Sequence, residues 1–133
     1  WRFDGGVEVP ASSSPLSVKL PLSRADAVDP EEALVAALSS CHMLFFLDFA
    51  KRKGFIVDSY VDEAIGTMSA NAEGRVAMTD VVLHPRIIFS GDKRPTKADC
   101  AELHHEAHED CYIANSVRSA VRVESSEHGL AAV

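Results

Sequence analysis

The sequence has no excess of positive charge. Its 13 lysines and arginines face 20 aspartates and glutamates, for a net charge of −7 with histidine neutral. That balance disfavours nucleic acid, whose phosphates need a basic face. The six histidines could offset it only at mildly acidic pH. A secretory signal is also missing. Three cysteines cannot make a disulfide framework, because one is left over. A cytoplasmic location is therefore the expectation, and there a disulfide is more often catalytic than structural. No apolar run reaches the roughly 20 residues that a bilayer core requires. The best candidate, 33–47, holds Ser39, Ser40 and His42 and reads as a buried helix, with no membrane partner expected. There is no Gly-rich phosphate loop, GxSxG elbow, HExxH or CxxC. Hydrolase and nucleotide readings start low, and no cofactor is called for. Neither an internal repeat nor a second domain boundary is visible, and 133 residues suit one domain, 1–133. The chain starts at Trp1 and not at Met, so a missing N-terminal piece is expected.

What is present is a 47% hydrophobic composition, enough for a core without staples. Residues 1–23 predict short strands: "DGG" at Asp4–Gly6 marks a turn, and "VEVP" and "LSVKLPL" alternate at period two. "DPEE" predicts a helix start, with Asp29 as N-cap, Pro30 in first position and Glu32 closing a capping box. The helix should run to about Arg52, with cations near its negative end and Gly54 as its stop. Its apolar residues leave no wide polar face, so it must be covered on all sides. One sheet covers one side. A second copy of the chain is the simplest remedy, hence a homodimer. Two long strands are expected between Phe55 and Ser90, around a turn at "NAEG". Thr96 with Asp99 predicts a second capping box and a helix to about Asp110. A short helix "CYIANSV" and a last strand "VRSAVRVES" complete an α+β order with the central helix packed on an antiparallel sheet.

The cysteines have two readings each. Cys41 is either a small buried hydrophobe or part of a working polar strip with Ser39, Ser40 and His42, since buried polar groups need partners. Cys111 is either packing or a thiol facing the free N–H groups of a restarting helix. Cys100 lies about three turns before Cys111, out of disulfide reach, and is taken as a bystander unless oxidation joins two chains through it. His104, His108 and Cys111 share one helical face and could hold zinc. Because Glu106 sits between His105 and His108 and breaks the HExxH spacing, a solvated histidine face is preferred, with no metal. Glu31 is about 15 Å from Cys41 along a straight helix. It serves the helix dipole, or reaches a cysteine only from a partner chain.

These residues resemble a known family. "DPEEALVAALSSC" is similar to the "NPEE…AAC" signature of the osmotically induced and organic hydroperoxide resistance proteins (the OsmC/Ohr family). "HEAHEDCYIANSV" resembles its second cysteine segment, and the resemblance spans about Ser17 to Val123. It implies an OsmC-like α+β fold, an intertwined homodimer around long buried helices, and peroxiredoxin-like chemistry against oxidative stress. Cys41 would attack an organic hydroperoxide and become a sulfenic acid. Cys111 would resolve it as a disulfide, and a dithiol, possibly on a lipoylated protein, would reduce the bridge. Glu31 would pair with an arginine steadying the thiolate, with Arg24, Arg2 or an arginine of the missing N-terminal piece as the candidates. Met43, Phe45 and Phe46 would line an apolar substrate site. Two departures stand out: Asp29 replaces the family's asparagine, and Tyr112 replaces the proline after the second cysteine. The rival reading on the same scaffold is a stress-related binder of an apolar ligand that never cycles its thiols.

Overall fold

A computed structural model of the chain describes residues 1–124. Two compact units emerge, Trp1–Leu34 and the remainder from Val35. The first unit is mostly turns. Its "DGG" turn forms as expected: Gly6 takes φ 85°, and the Phe3 N–H donates to Val7 O at 2.9 Å. The strands expected around it shrink to single bridges, Arg2 with Glu8 and Ala11 with Val28. The "LSVKLPL" strand does not form. Ser14 O instead accepts from both Ser17 N and Val18 N, Pro21 offers no N–H, and Leu16, Leu20 and Leu22 are left exposed. Alternation of residue types supplies a face for pairing, not a partner.

The helix α1 (Pro30–Arg52) begins in this unit with the expected reciprocal cap. The Glu32 N–H donates to Asp29 Oδ1 at 2.8 Å, and the Asp29 N–H to Glu32 Oε2 at 3.0 Å. It ends where Gly54 turns left-handed at φ 79° and the Phe55 N–H reaches back to Ala50 O at 2.9 Å.

In the second unit each of the two expected long strands is broken once. β1 (Ile56–Asp62) and β2 (Ile65–Ala70) lead to the tip, and β3 (Val76–Leu83) and β4 (Pro85–Ser90) return from it. β1 pairs β4 and β2 pairs β3, both antiparallel. Asp62 marks the break. The Asp62 carboxylate takes the His84 N–H at 2.6 Å, and its second oxygen accepts the Ser39 hydroxyl at 2.5 Å. That peptide group bonds a side chain at the point where the ladder changes partner. At the tip, Asn71 Oδ1 accepts from Glu73 N and Arg75 N, and Gly74 takes φ 75°. The last strand, β5 (Ala120–Val123), joins β3 in parallel, so the three-stranded sheet is mixed. The expected strand reached Ser125, which lies outside the described residues.

α2 (Lys97–Asp110) opens on the expected capping box of Thr96 and Asp99. The core lies between its buried stripe of Cys100, Leu103, His104 and Ala107 and the buried stripe of α1, Leu38, His42, Phe46 and Ala50, with Phe55, Ile87 and Phe89 from β1's approach and β4. Both stripes follow the helical repeat: every fourth residue on α1, and the i, i+3, i+4, i+7 pattern on α2. By length and composition alone α1 could cross a membrane, yet this stripe is occupied by the protein core. Leu44, on another side of α1, remains 62% exposed. Gly66 permits a close approach of helix and strand: a Cβ there would lie 2.6 Å from both Val35 Cγ2 and Met78 Sδ.

Candidate active site

The polar strip of α1 resolves into partners. Ser39 bonds Asp62, and Ser40 returns its hydroxyl to Ala36 O at 2.7 Å. His42 turns into the core and meets His104 of α2, ring on ring, with 3.0 Å between Nε2 and Nδ1. Phe46 packs on the same imidazole at 4.6 Å between centroids. Burial, with the nearby His108 acting in the same direction, lowers the pKa of His42 from 6.5 to about 4, against the opposing pull of Asp62. His42 is thus a neutral imidazole whose Nδ1 has no partner among the described residues.

That contact overturns one expectation. The histidine face of α2 is not uniformly solvated: His104 is buried and only His105 is exposed. A helix face is decided by what packs on it, and "HHEAHEDC" does not reveal the imidazole waiting on α1. Among the described residues no group of three or more histidine, cysteine or acidic side chains is placed to hold a metal ion.

Cys41 lies on the half-buried flank of α1, one residue before His42. Cys111 is the C-cap of α2, where the backbone leaves the helix at ψ 107°. The chain then doubles back in a 3-10 turn, Ala114–Ser116. Asn115 ties that turn to the helix end: its Nδ2 donates to Glu109 O at 2.8 Å and to Cys111 O at 3.1 Å. The result brings the Ala114 N–H to Cys111 Sγ at 3.4 Å. A turn N–H aimed at the sulfur was expected, but the asparagine clamp was not. Its only sequence signal is an amide four residues past a cysteine at a helix end.

The two thiols, seventy residues apart, are neighbours. Both are free, and the Cys41 thiol lies close enough to Cys111 to raise its pKa. Burial pushes the Cys111 thiol up, and the adjacent Cys41 adds to this, while the N–H groups of Ala114 and Ile113 pull the other way. Cys100 sits apart in the core, 1% exposed, its pKa raised to about 11 by burial and the charge of Asp99. Its burial leaves no open route to the intermolecular bond that was its alternative.

The remaining candidates fall in different places. Phe45 is half-buried and meets Tyr112 edge-on at 5.1 Å, so the tyrosine that replaces proline adds an aromatic ring beside Cys111. Met43 is half-buried. Phe46 is fully buried and packs on Tyr60, Phe89 and His104, so it is a core residue and not the pocket wall expected of it. In the first unit, Glu31 keeps a buried Oε2 with no partner among the described residues. Arg24 makes a two-point pair with Asp26, at 3.0 and 2.8 Å, and Arg2 lies 3.8 Å from Glu8.

The family model of OsmC-like proteins matches residues 23–126. The chain belongs to the OsmC-like family. Among solved structures, it is 50% identical to an OsmC-like protein of unknown function from Vibrio cholerae, with a TM-score of 0.93 over 95% of this chain and 82% of that one. The fold is shared more distantly with an organic hydroperoxide resistance protein from Elizabethkingia anophelis, at 20% identity, a TM-score of 0.71, and 93% and 83% coverage of the two chains. A Legionella pneumophila protein described in the same terms aligns at 17% identity and a TM-score of 0.66, covering 94% of this chain and 85% of its own. No curated protein matches. The OsmC-like chain thus has the α+β fold expected from its sequence.

Proposed function

We propose that this OsmC-like chain is a two-cysteine thiol peroxidase that reduces organic hydroperoxides in the cytoplasm. The observation that carries the reading is the contact between Cys41 and Cys111. Two free thiols from distant parts of a chain meet here, one accessible and one buried. Core packing would place an aliphatic side chain in either position equally well.

The chemistry follows from that placement. The Cys41 thiolate attacks the distal peroxide oxygen, the alcohol leaves, and Cys41 becomes a sulfenic acid. Cys111 condenses with it, releasing water and closing the disulfide. Contact between the thiols favours condensation over further oxidation. A dithiol then restores both. The Phe45–Tyr112 pair beside the site suits a hydroperoxide with an apolar body. Glu31 fits a role in holding an arginine, because its buried oxygen lacks a partner among the described residues. Arg24 and Arg2 are the candidates to fill that position.

The same proposal includes a homodimer. Leu44 of α1, Ile56, Val61, Ile65, Met68, Val76 and Ile88 of the strands, and Leu16, Leu20 and Leu22 of the first unit are exposed apolar side chains. So much apolar surface calls for cover. A second copy would supply it, and sedimentation of the purified chain measures this directly.

The deciding experiment is a count of free thiols on the reduced protein before and after one equivalent of cumene hydroperoxide, with the peptides mapped. Loss of two thiols and a Cys41–Cys111 bridge is expected. An unchanged count with the fold intact would reject the peroxidase reading and turn to the apolar-ligand binder.

A further inference from the structure

The peroxidase reading ends each cycle with a bridge that a reductant must open, and the two sulfurs of that bridge are not equivalent. Cys111 is 1% exposed, at the foot of the clamped turn 111–116. Cys41 is half-buried on the flank of α1. Thiol–disulfide exchange needs the incoming thiolate behind the sulfur it attacks, in line with the bond that breaks. Of the two sulfurs, Cys41 is the one that a single chain leaves open to an external molecule.

We propose that the reducing dithiol attacks Cys41 Sγ, with Cys111 as the leaving sulfur. The inference rests on the two-cysteine reading above. The electron pair of the incoming thiolate forms the new bond to Cys41 Sγ. The pair of the Cys41–Cys111 bond departs onto Cys111 Sγ, which receives the Ala114 N–H and then takes up a proton. The second thiol of the reductant, as thiolate, attacks the reductant sulfur of the mixed disulfide. Cys41 is released as thiolate and the reductant leaves as a cyclic disulfide. Two electrons pass from the dithiol to the protein pair.

One effect opposes this order. A thiol whose pKa is raised by burial leaves more slowly than an acidic one, and Cys111 is raised. That penalty is less than about tenfold in rate per unit of pKa. The Ala114 and Ile113 N–H groups reduce it further. Attack on Cys111 instead requires opening the end of α2, including both Asn115 hydrogen bonds. Access therefore decides, and Ala114 is the positioning residue that readies the leaving sulfur.

The test uses the wild-type chain bridged by diamide, so that it does not depend on peroxidase activity. The bridged protein is treated with cysteamine, quenched in acid, alkylated with N-ethylmaleimide and digested at glutamate, which separates Cys100 from Cys111 through Glu102, Glu106 and Glu109. Cysteamine on Cys41 with alkylated Cys111 is expected in roughly tenfold excess over the reverse. An equal or reversed distribution overturns the proposal, as does failure of diamide to form the bridge. A second measurement compares dithiodipyridine labelling of Cys41 in Cys111→Ser with that of Cys111 in Cys41→Ser. Faster labelling of Cys41 is expected, and equal rates would count against the proposal. If peroxide fails to form the bridge while the diamide-bridged protein opens at Cys41, the peroxidase reading falls and this inference stands.

Discussion

The two ends of α2 each carry a cysteine that is 1% exposed, and they have opposite chemical prospects. At the N-terminal end, Cys100 is packed among Phe46, Ala50, Leu103 and Ala107, and burial alone accounts for most of its raised pKa. At the C-terminal end, Cys111 is just as buried, but a second thiol touches it and a turn N–H points at its sulfur. Burial does not distinguish a working cysteine from core filler. Its immediate neighbours do, and those neighbours are set by how the chain leaves the helix.

The largest expected effect separates the two cysteines by turnover. Cys41→Ser should abolish hydroperoxide reduction, and Cys111→Ser should leave a single round that stops at the sulfenic acid. Cys100→Ser should keep full turnover per folded molecule, while costing about 1–3 kcal/mol for a hydroxyl placed in the core. A coupled peroxidase assay and a urea titration on the three variants measure both quantities. Loss of turnover in folded Cys100→Ser would erase the distinction between the helix ends.

The middle of the helix gives a pH-dependent effect. His42 against His104 is neutral in the folded chain, with the His42 pKa lowered to about 4 from 6.5. The unfolded chain binds the proton first as pH falls. The stability is therefore fully present above about 6.5 and drains away as pH drops toward 4. The span corresponds to about 3 kcal/mol. Urea midpoints measured from pH 7 to pH 4 should fall accordingly. His42→Leu should flatten that part of the profile, and an unchanged slope in the variant would remove His42 as its source.

How much of this was legible follows from the range of each interaction. Both capping boxes and the stop at Gly54 could be read directly, because their partners lie within a few residues. The break between β1 and β2 could not: Asp62, which marks it, meets His84 and Ser39, each more than twenty residues away. The inward turn of His104 was hidden for the same reason, since His42 lies sixty-two residues away. The strands expected before α1 show the reverse error, where a correct local pattern found no partner. Spacing alone left both cysteines ambiguous, and only the family resemblance paired them.

The smallest effect gives the sharpest contrast, because two substitutions of similar cost should differ in their redox consequence. Thr96→Ala removes the cap at the Cys100 end, where the Thr96 hydroxyl accepts the Asp99 N–H at 3.1 Å. It should cost about 1 kcal/mol. Asn115→Ala removes the clamp at the Cys111 end, with its two bonds to Glu109 O and Cys111 O, and should also cost about 1 kcal/mol. The difference lies in what each end holds. Loosening the first turn leaves the Cys41–Cys111 contact intact, so bridge formation after peroxide should proceed at the wild-type rate. Loosening the 111–116 turn moves Ala114 N–H away from Cys111 Sγ, so the bridge should close more slowly and over-oxidised Cys41 should accumulate. Rapid-quench thiol mapping at matched temperature reads both variants. Equal closing rates would mean that the clamp serves only the fold, and that contact between the sulfurs needs no help from the turn.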